Sequence, residues 1–284
     1  MSTTMHSSSL IKKEPQSPRS RISMILTAFR MILYRDIVVT GREFISFLVQ
    51  VLLQPLFLLF VFGKVLPNIG VAQQSFGALL LPGVVAFTIT LTALQGVALP
   101  LTLDLGFSRE IDDRLLAPLP IALVAVEKVI FAALRGLLAG IIIFPLAYWI
   151  LGSGYQVSTD SVGVLIGMMV FTALLGALLG LTMGTLIGPE QIGLMFSLII
   201  TPLIFTGCTY TPWSSLGNLK WFQIITLFNP LTYASEGLRY AMLPSLHGQH
   251  FPTLGIGWIV LALSGVCIVL GIIGIRTFYR RVVS

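Results

Sequence analysis

Chemistry is scarce in this chain. Of its 284 residues only 10% are charged, three are histidines and two are cysteines. Cys208 and Cys267 show no metal-ligand or redox spacing and read as small apolar packers. His6, His247 and His250 are scattered, and only the last two can share a helical face, which is too little for a metal site. The phosphate-cradling sequence Gly-x-x-x-x-Gly-Lys-Ser/Thr does not occur, so ATP is not held by that route. No set of nucleophiles, acids and metal ligands converges at one depth, and an enzyme is not expected. A secretory leader is not expected either: the first strong apolar run begins after about 40 residues and is too long for an h-region.

What is abundant is apolar length. The chain is 56% hydrophobic, with mean hydropathy +0.95. A helix needs roughly 20 apolar residues, at about 1.5 Å each, to cross about 30 Å of hydrocarbon. Six segments approach or exceed that length: Ile45 to Leu66, Phe76 to Leu99, Val129 to Leu151, Val162 to Ile187, Ile192 to Tyr210 and Leu254 to Ile275. The expected fold is an all-α integral membrane protein with six transmembrane helices. An even count puts both termini on one side. Thirteen of the 17 Lys and Arg lie in the N-terminal arm, around the second-to-third connection and in the C-terminal tail, so the positive-inside rule makes both termini cytoplasmic. Trp149, Trp213, Trp221 and Trp258 then all fall at the outer interface, which indole rings favour. In this topology Cys208 and Cys267 lie at opposite depths, which argues against a disulfide.

Residues 1–20, rich in Ser, Thr and Lys, read as a disordered cytoplasmic arm. From Arg21 to Thr40, Ile22, Ile25, Phe29 and Ile32 recur at helical spacing while Arg21, Arg30 and Arg35 take other faces, as in an interfacial helix ahead of the first span. After the second span, Ser108 suits an N-cap, Glu110, Asp112 and Asp113 suit the positive helix start, and Pro118 and Pro120 end the turn. The spacing predicts a short amphipathic helix carrying Arg109, Arg114, Leu115 and Leu116, a knob against which a soluble partner can sit.

Between spans five and six, Thr211 to Pro252 is too long for a turn and too apolar for a free loop. It divides into Ser215 to Phe228, with Leu216, Leu219, Phe222 and Ile225 in helical register, and Pro230 to Leu243, capped by Asn229 with Pro230 at the first helical position. A re-entrant helical pair follows, which must pack on other spans or close an exit. Glu236 and Arg239 stand at i, i+3 and can pair; a structural ion pair at the interface is favoured over a gate or substrate contact.

In the fourth span Gly176, Gly180, Gly184 and Gly188 repeat every four residues and form a ridge for close helix packing; Gly136 and Gly140 make a shorter notch in the third. Arg135 stands inside the third span, an expensive place for a charge, and is expected to snorkel inward or pair with a neighbouring carboxylate. Glu127 and Lys128 read as boundary charges with no special role. Beyond Arg135 almost no ionisable group lies near the midplane, which weakens an ion-driven carrier.

The layout resembles the ABC type-2 permeases, membrane subunits of exporters that include the daunorubicin-resistance type. Two stretches carry the likeness: Arg109-Glu110-Ile111-Asp112-Asp113-Arg114-Leu115-Leu116-Ala117-Pro118, similar to the family's acidic-basic segment with Leu-Leu and Pro, and Phe228-Asn229-Pro230-Leu231-Thr232-Tyr233 followed by Glu236 and Arg239. The resemblance extends from Arg21 over nearly the whole chain, so 21–284 reads as one transmembrane domain. It implies a permease that dimerises, with itself or a close paralogue, in the plasma or inner membrane and sits on a separate cytoplasmic ABC ATPase; no cofactor of its own is implied, since ATP is bound by that partner. It further implies that Ser108 to Leu116 is the coupling helix, that Arg21 to Thr40 also touches the ATPase, and that Asn229, Pro230, Tyr233, Glu236 and Arg239 belong to re-entrant helices near the exit. The two prolines at 118 and 120 depart from the family pattern at the end of the coupling helix. The span interiors carry mostly Phe and aliphatics, which favours export of an apolar or amphiphilic compound, drug-like or lipid-like. Export of a lipid-linked saccharide and a non-transporting membrane scaffold are the alternatives. No nucleic-acid partner is expected.

Overall fold

The helix Phe76–Leu103 accounts for the placement of the others. Gly77, Ala78, Gly83, Ala86, Ala93, Gly96 and Ala98 leave it slender on every side, so neighbours approach its backbone all round. Two of its threonines do not oppose burial, whereas the Thr90 hydroxyl is buried without a hydrogen-bond partner. The Thr88 and Thr102 hydroxyls donate to the Val84 and Ala98 carbonyls one turn back, at 2.8 and 2.7 Å, and bury no unmet donor.

A computed structural model describes residues 21–73, 75–104, 120–158, 160–243 and 252–283. Among the described residues all regular structure is helical. In chain order the helices are α1 (Arg21–Arg42), α2 (Phe44–Asn68), α3 (Phe76–Leu103), α4 (Ile121–Leu151), α5 (Val162–Leu186), α6 (Ile192–Thr206), α7 (Lys220–Thr226), α8 (Pro230–Met242) and α9 (Ile256–Val283). Five of them, α2, α3, α4, α5 and α9, are long and apolar enough to cross a membrane, and α6 adds a shorter apolar helix. The expected all-α membrane fold is observed.

Around α3 stand α4, α5, α2 and α8, with α9 on the outer side of α5. The α3–α5 seam is the ridge expected from the glycines. A Cβ at Gly176 would collide with the Thr90 carbonyl, one at Gly180 with the Leu94 carbonyl, and one at Gly184 would lie 3.1 Å from the Ala98 Cα. Gly188 does not belong to this ridge: α5 ends at Leu186, Ile187 is extended, and nothing lies within 4 Å of a Cβ at 188. Once the helix stops, its four-residue period no longer keeps one face. On α4, Gly136 and Gly140 sit against the Ile89 carbonyl and side chain of α3, at 2.8 and 2.5 Å from their would-be Cβ atoms.

Several boundaries differ from the expected ones, each for a physical reason. Helix α4 begins at Ile121, eight residues before Val129, and its 31 residues extend about 46 Å, well beyond the hydrocarbon thickness. Glu127 and Lys128 therefore do not precede the helix; they lie inside it and are buried against its neighbours, 1% and 5% exposed. Helix α6 stops at Thr206, four residues before Tyr210, and at 15 residues is only about 22 Å long. Gly207 and Cys208, the latter at φ 50°, turn the chain out of the helix there. The expected single helix Ser215 to Phe228 is two pieces, a 3-10 segment Trp213–Asn218 and α7, because Leu219 at φ −119° and ψ 63° breaks the register.

Helix α1 is amphipathic as its spacing predicts. Ile25, Phe29 and Ile32 pack on the core, while Ile22 at the helix start remains exposed. At the opposite end of the chain, Arg281 of α9 donates to the Thr185 and Ile187 carbonyls at 2.7 and 3.0 Å. A cation there satisfies carbonyls left open where α5 ends.

Candidate functional site

Two clusters of buried polar groups stand at opposite ends of the bundle. The first is built on the segment between α6 and α9. Asn229 is the N-cap of α8: its Oδ1 accepts from the Leu231 N–H at 2.9 Å, and Pro230 needs no partner at the first helical position. Its Nδ2 donates to the Leu203 carbonyl and the Thr206 hydroxyl, at 2.9 and 2.8 Å, so one side chain both starts α8 and fastens it to the end of α6. Thr232 adds bonds to the carbonyls of Thr226, at 2.6 Å, and Thr206, at 3.1 Å. Tyr233 donates to the Leu227 carbonyl at 2.8 Å.

One turn further along α8, Glu236 and Arg239 form an ion pair through Oε1 and Nη1, both fully buried. The pair expected from the i, i+3 spacing forms, enclosed within the protein. Arg239 Nη2 donates to the Cys208 carbonyl at 3.1 Å, and Nε and Nη2 reach the Leu79 carbonyl of α3 at 3.4 Å. Leu79 lies in the turn before Pro82, whose ring lacks an N–H and disturbs the helix ladder at this level. Glu236 Oε1 also accepts from the Trp213 N–H at 3.0 Å. The pair thus clamps α3, the end of α6 and the Trp213 segment to α8. Gly83 completes the joint, since any Cβ there would enter the Thr209 backbone. Cys208 and Cys267 are both free thiols.

The second cluster lies at the other end of the bundle, where α3 finishes and α4 begins. Lys128 of α4 stands 3.8 Å from Asp36 of α1 and 3.8 Å from Asp104 at the end of α3. Beside it opens a cavity of about 280 Å³ between α1, α2, α3 and α4. Arg135 faces this cavity and forms no ion pair or hydrogen bond among the described residues. Its guanidinium instead stands 4.9 Å from the Phe47 ring centroid and 5.9 Å from that of Phe131.

Sequence reasoning named Asn229, Pro230, Tyr233, Glu236 and Arg239, and the structure brings all five together on α8 and its cap. Gly176, Gly180 and Gly184 lie away from it, on the α3–α5 seam. Ser108, Arg109, Glu110, Asp112, Asp113, Arg114, Leu115 and Leu116 lie outside the described residues, as do His247 and His250. The Lys128 cluster was missed. Its signal is weak, since Asp36 follows Arg35 in an arginine-bearing helix and Lys128 follows Glu127, and no spacing rule joins residues 36, 104 and 128. Among the described residues no group of His, Cys, Asp and Glu has the makings of a metal site.

Long apolar helices around a slender central one, and a helical segment held by buried polar clamps, define a multi-pass membrane protein whose polar groups organise packing. The family model of the ABC-2 type transporter matches residues 27–243, from within α1 to the residue after α8, and the chain belongs to that family. No curated protein matches it.

Proposed function

We propose that the chain, as an ABC-2 type transporter domain the membrane permease component of an ABC transporter, is the permease subunit of an ATP-driven exporter in the plasma or inner membrane, with both termini cytoplasmic. A separate cytoplasmic ABC ATPase supplies the energy, and the cargo is an apolar or amphiphilic compound. The observation that carries this reading is the Lys128 cluster. It ties α1 to the end of α3 and the start of α4, the two helix ends that the 105–119 connection joins in sequence. A displacement of that connection by a partner is passed to three helices at once, because a packed bundle moves by rigid elements.

A second copy of the chain, or a paralogue, fits the outer faces of α2 and α6. Ile45, Val49, Leu53 and Phe57 repeat every four residues along α2 and are all exposed, and Leu194, Leu198 and Phe205 are exposed on α6. Such faces take lipid or another helix. Pairing two copies along them gives a pathway between copies.

The test is co-reconstitution of the chain with its ATPase in liposomes. Asp112→Lys with Asp113→Lys should abolish ATP-driven transport of a fluorescent amphiphile while membrane insertion stays normal, since the reversal alters the partner surface and not the spans. Normal transport and normal co-purification of the double variant would refute the coupling role. ATP hydrolysis by the permease purified free of any ATPase would refute the reading as a whole.

A further inference from the structure

The cavity beside Lys128 continues inward. A second, smaller cavity of about 130 Å³ shares Gln50, Gly96, Pro100 and Arg135 with the first, and is further lined by Thr92 and Gln95. The two differ in charge. The larger one has Asp36, Asp104 and Glu43 on its wall, with Lys128 between the two aspartates and Glu43 exposed on α2's side. The smaller has no acidic lining residue, and Arg135 is its one charged group.

Arg135 is held there with no ion-paired acceptor in contact, Glu43 on the larger cavity's wall acting on it only through space. Its guanidinium carbon stands over the Phe47 and Phe131 rings, contacts that take up none of its N–H donors with an oxygen acceptor. Its Nε is buried and has no hydrogen-bond partner. Gly96 leaves room for the side chain: a Cβ there would touch Ala132 at 3.3 Å and the Arg135 Cδ at 4.0 Å. A buried guanidinium N–H without an acceptor is costly, and a planar fork of donors is matched best by a carboxylate or phosphate.

Depth narrows the ligand further. Phe47 and Gln50 belong to the first two turns of α2, about 5–9 Å along the helix from its start at Phe44. Along α2 these residues lie nearer the helix start than the middle of the span, so an amphiphile whose headgroup reaches this level keeps its tail along the apolar remainder of the helix. Apolar Val51, Leu99 and Phe131 line the same space beside the polar groups.

We infer that the two connected cavities form a binding site for the anionic headgroup of an amphiphile, with Arg135 as its main anion ligand and Gln50 and Gln95 as neutral hydrogen-bonding groups. The amphiphile enters from the leaflet on the side where α3 finishes and α4 begins, and the acidic rim with Lys128 separates the site from the aqueous phase. This deepens the proposed function, on which it rests for the class of cargo and for calling that leaflet cytoplasmic. The binding itself requires neither ATPase nor turnover.

The experiment is equilibrium binding to the purified full chain in neutral detergent, read by anisotropy of a tail-labelled fluorescent phosphatidate. Tail-labelled phosphatidylcholine and inorganic phosphate serve as comparison and competitor. Phosphatidate should bind saturably. Arg135→Gln should weaken it about tenfold or more, Arg135→Lys should keep the charge and lose less, and Gln95→Leu should weaken it about threefold. Phosphatidylcholine should bind more weakly and be indifferent to all three variants. Equal phosphatidate affinity in the wild type and a monodisperse Arg135→Gln protein would overturn the proposal. Should that variant aggregate, unchanged affinity in both Arg135→Lys and Gln95→Leu would do the same. Displacement of phosphatidate by inorganic phosphate at matched concentration would overturn the amphiphile in favour of a soluble anion. The Asp112→Lys, Asp113→Lys protein should bind phosphatidate normally, so the site and the coupling reading can fail separately.

Discussion

Glu236–Arg239 and Lys128 with its two aspartates are both buried charge clusters in one bundle, and they are built to opposite specifications. At the α8 end the ions are fully buried in direct contact, and the guanidinium also holds two backbone carbonyls from two other elements. At the Lys128 end the N···O distances are 3.8 Å and an open cavity adjoins the ions. A buried pair without water cannot separate without leaving a charge stranded, whereas ions beside a cavity that water can enter lose little when they part. The first arrangement suits a fixed clamp and the second a joint that moves. A permease driven from one side needs both.

The largest expected effect comes from breaking the clamp. Arg239→Met leaves Glu236 buried without its cation and frees the Cys208 and Leu79 carbonyls, at a cost of about 3–5 kcal/mol. Thermal unfolding in detergent should show a large fall in Tm. A fall no larger than that of Lys128→Met would erase the distinction between the two clusters.

Next in size is the α3–α5 seam. Gly180→Leu drives a side chain into the Leu94 backbone and should cost about 1–3 kcal/mol, while Gly188→Leu, with open space around it, should leave Tm unchanged. Equal behaviour of the two variants would mean that the seam is not the close contact described.

Asn229→Ala removes the α8 cap and the two bonds to α6, and about 1–2 kcal/mol is expected from such a loss. Hydrogen exchange should rise first in α8 and at the end of α6. Exchange confined to the first turn of α8 would show that the link to α6 contributes nothing.

The smallest stability effect belongs to Lys128→Met. Water in the adjoining cavity can solvate Asp36 and Asp104, so the loss should be about 1 kcal/mol or less. Transport in the co-reconstituted system should nevertheless fall, because α1 and the end of α3 are no longer tied through α4. Normal transport would remove the cluster from the coupling route.

How far these features could be read in the residues alone follows from how local they are. Asn229-Pro230 announces a helix start through the chemistry of the cap, and Glu236 with Arg239 announces a pair through helical spacing, because each signal lies within a turn of one helix. The Gly176, Gly180, Gly184 ridge was legible for the same reason, but Gly188 was not excluded, since the sequence pattern continues for one more step after the helix has ended. Lys128 was read as needing no special role because hydropathy treats the adjacent charges Glu127 and Lys128 as a reason to stop a span. Its aspartates come from residues 36 and 104, and no periodicity links them.

Composition and apolar length determined that the chain is a bundle of membrane helices, because a backbone in hydrocarbon must satisfy its own hydrogen bonds and a helix of sufficient length is the local answer. Caps and small-residue periods determined where several helices begin and which faces can approach. Tertiary structure alone decided which partner each face receives: that Phe76–Leu103 becomes the central helix, that Arg239 is spent on carbonyls of two other elements, and that Arg135 faces two rings and a cavity instead of a carboxylate. Those outcomes depend on residues far apart in the chain being brought within a few ångströms, a matter of how the helices dock that no run of neighbouring residues encodes.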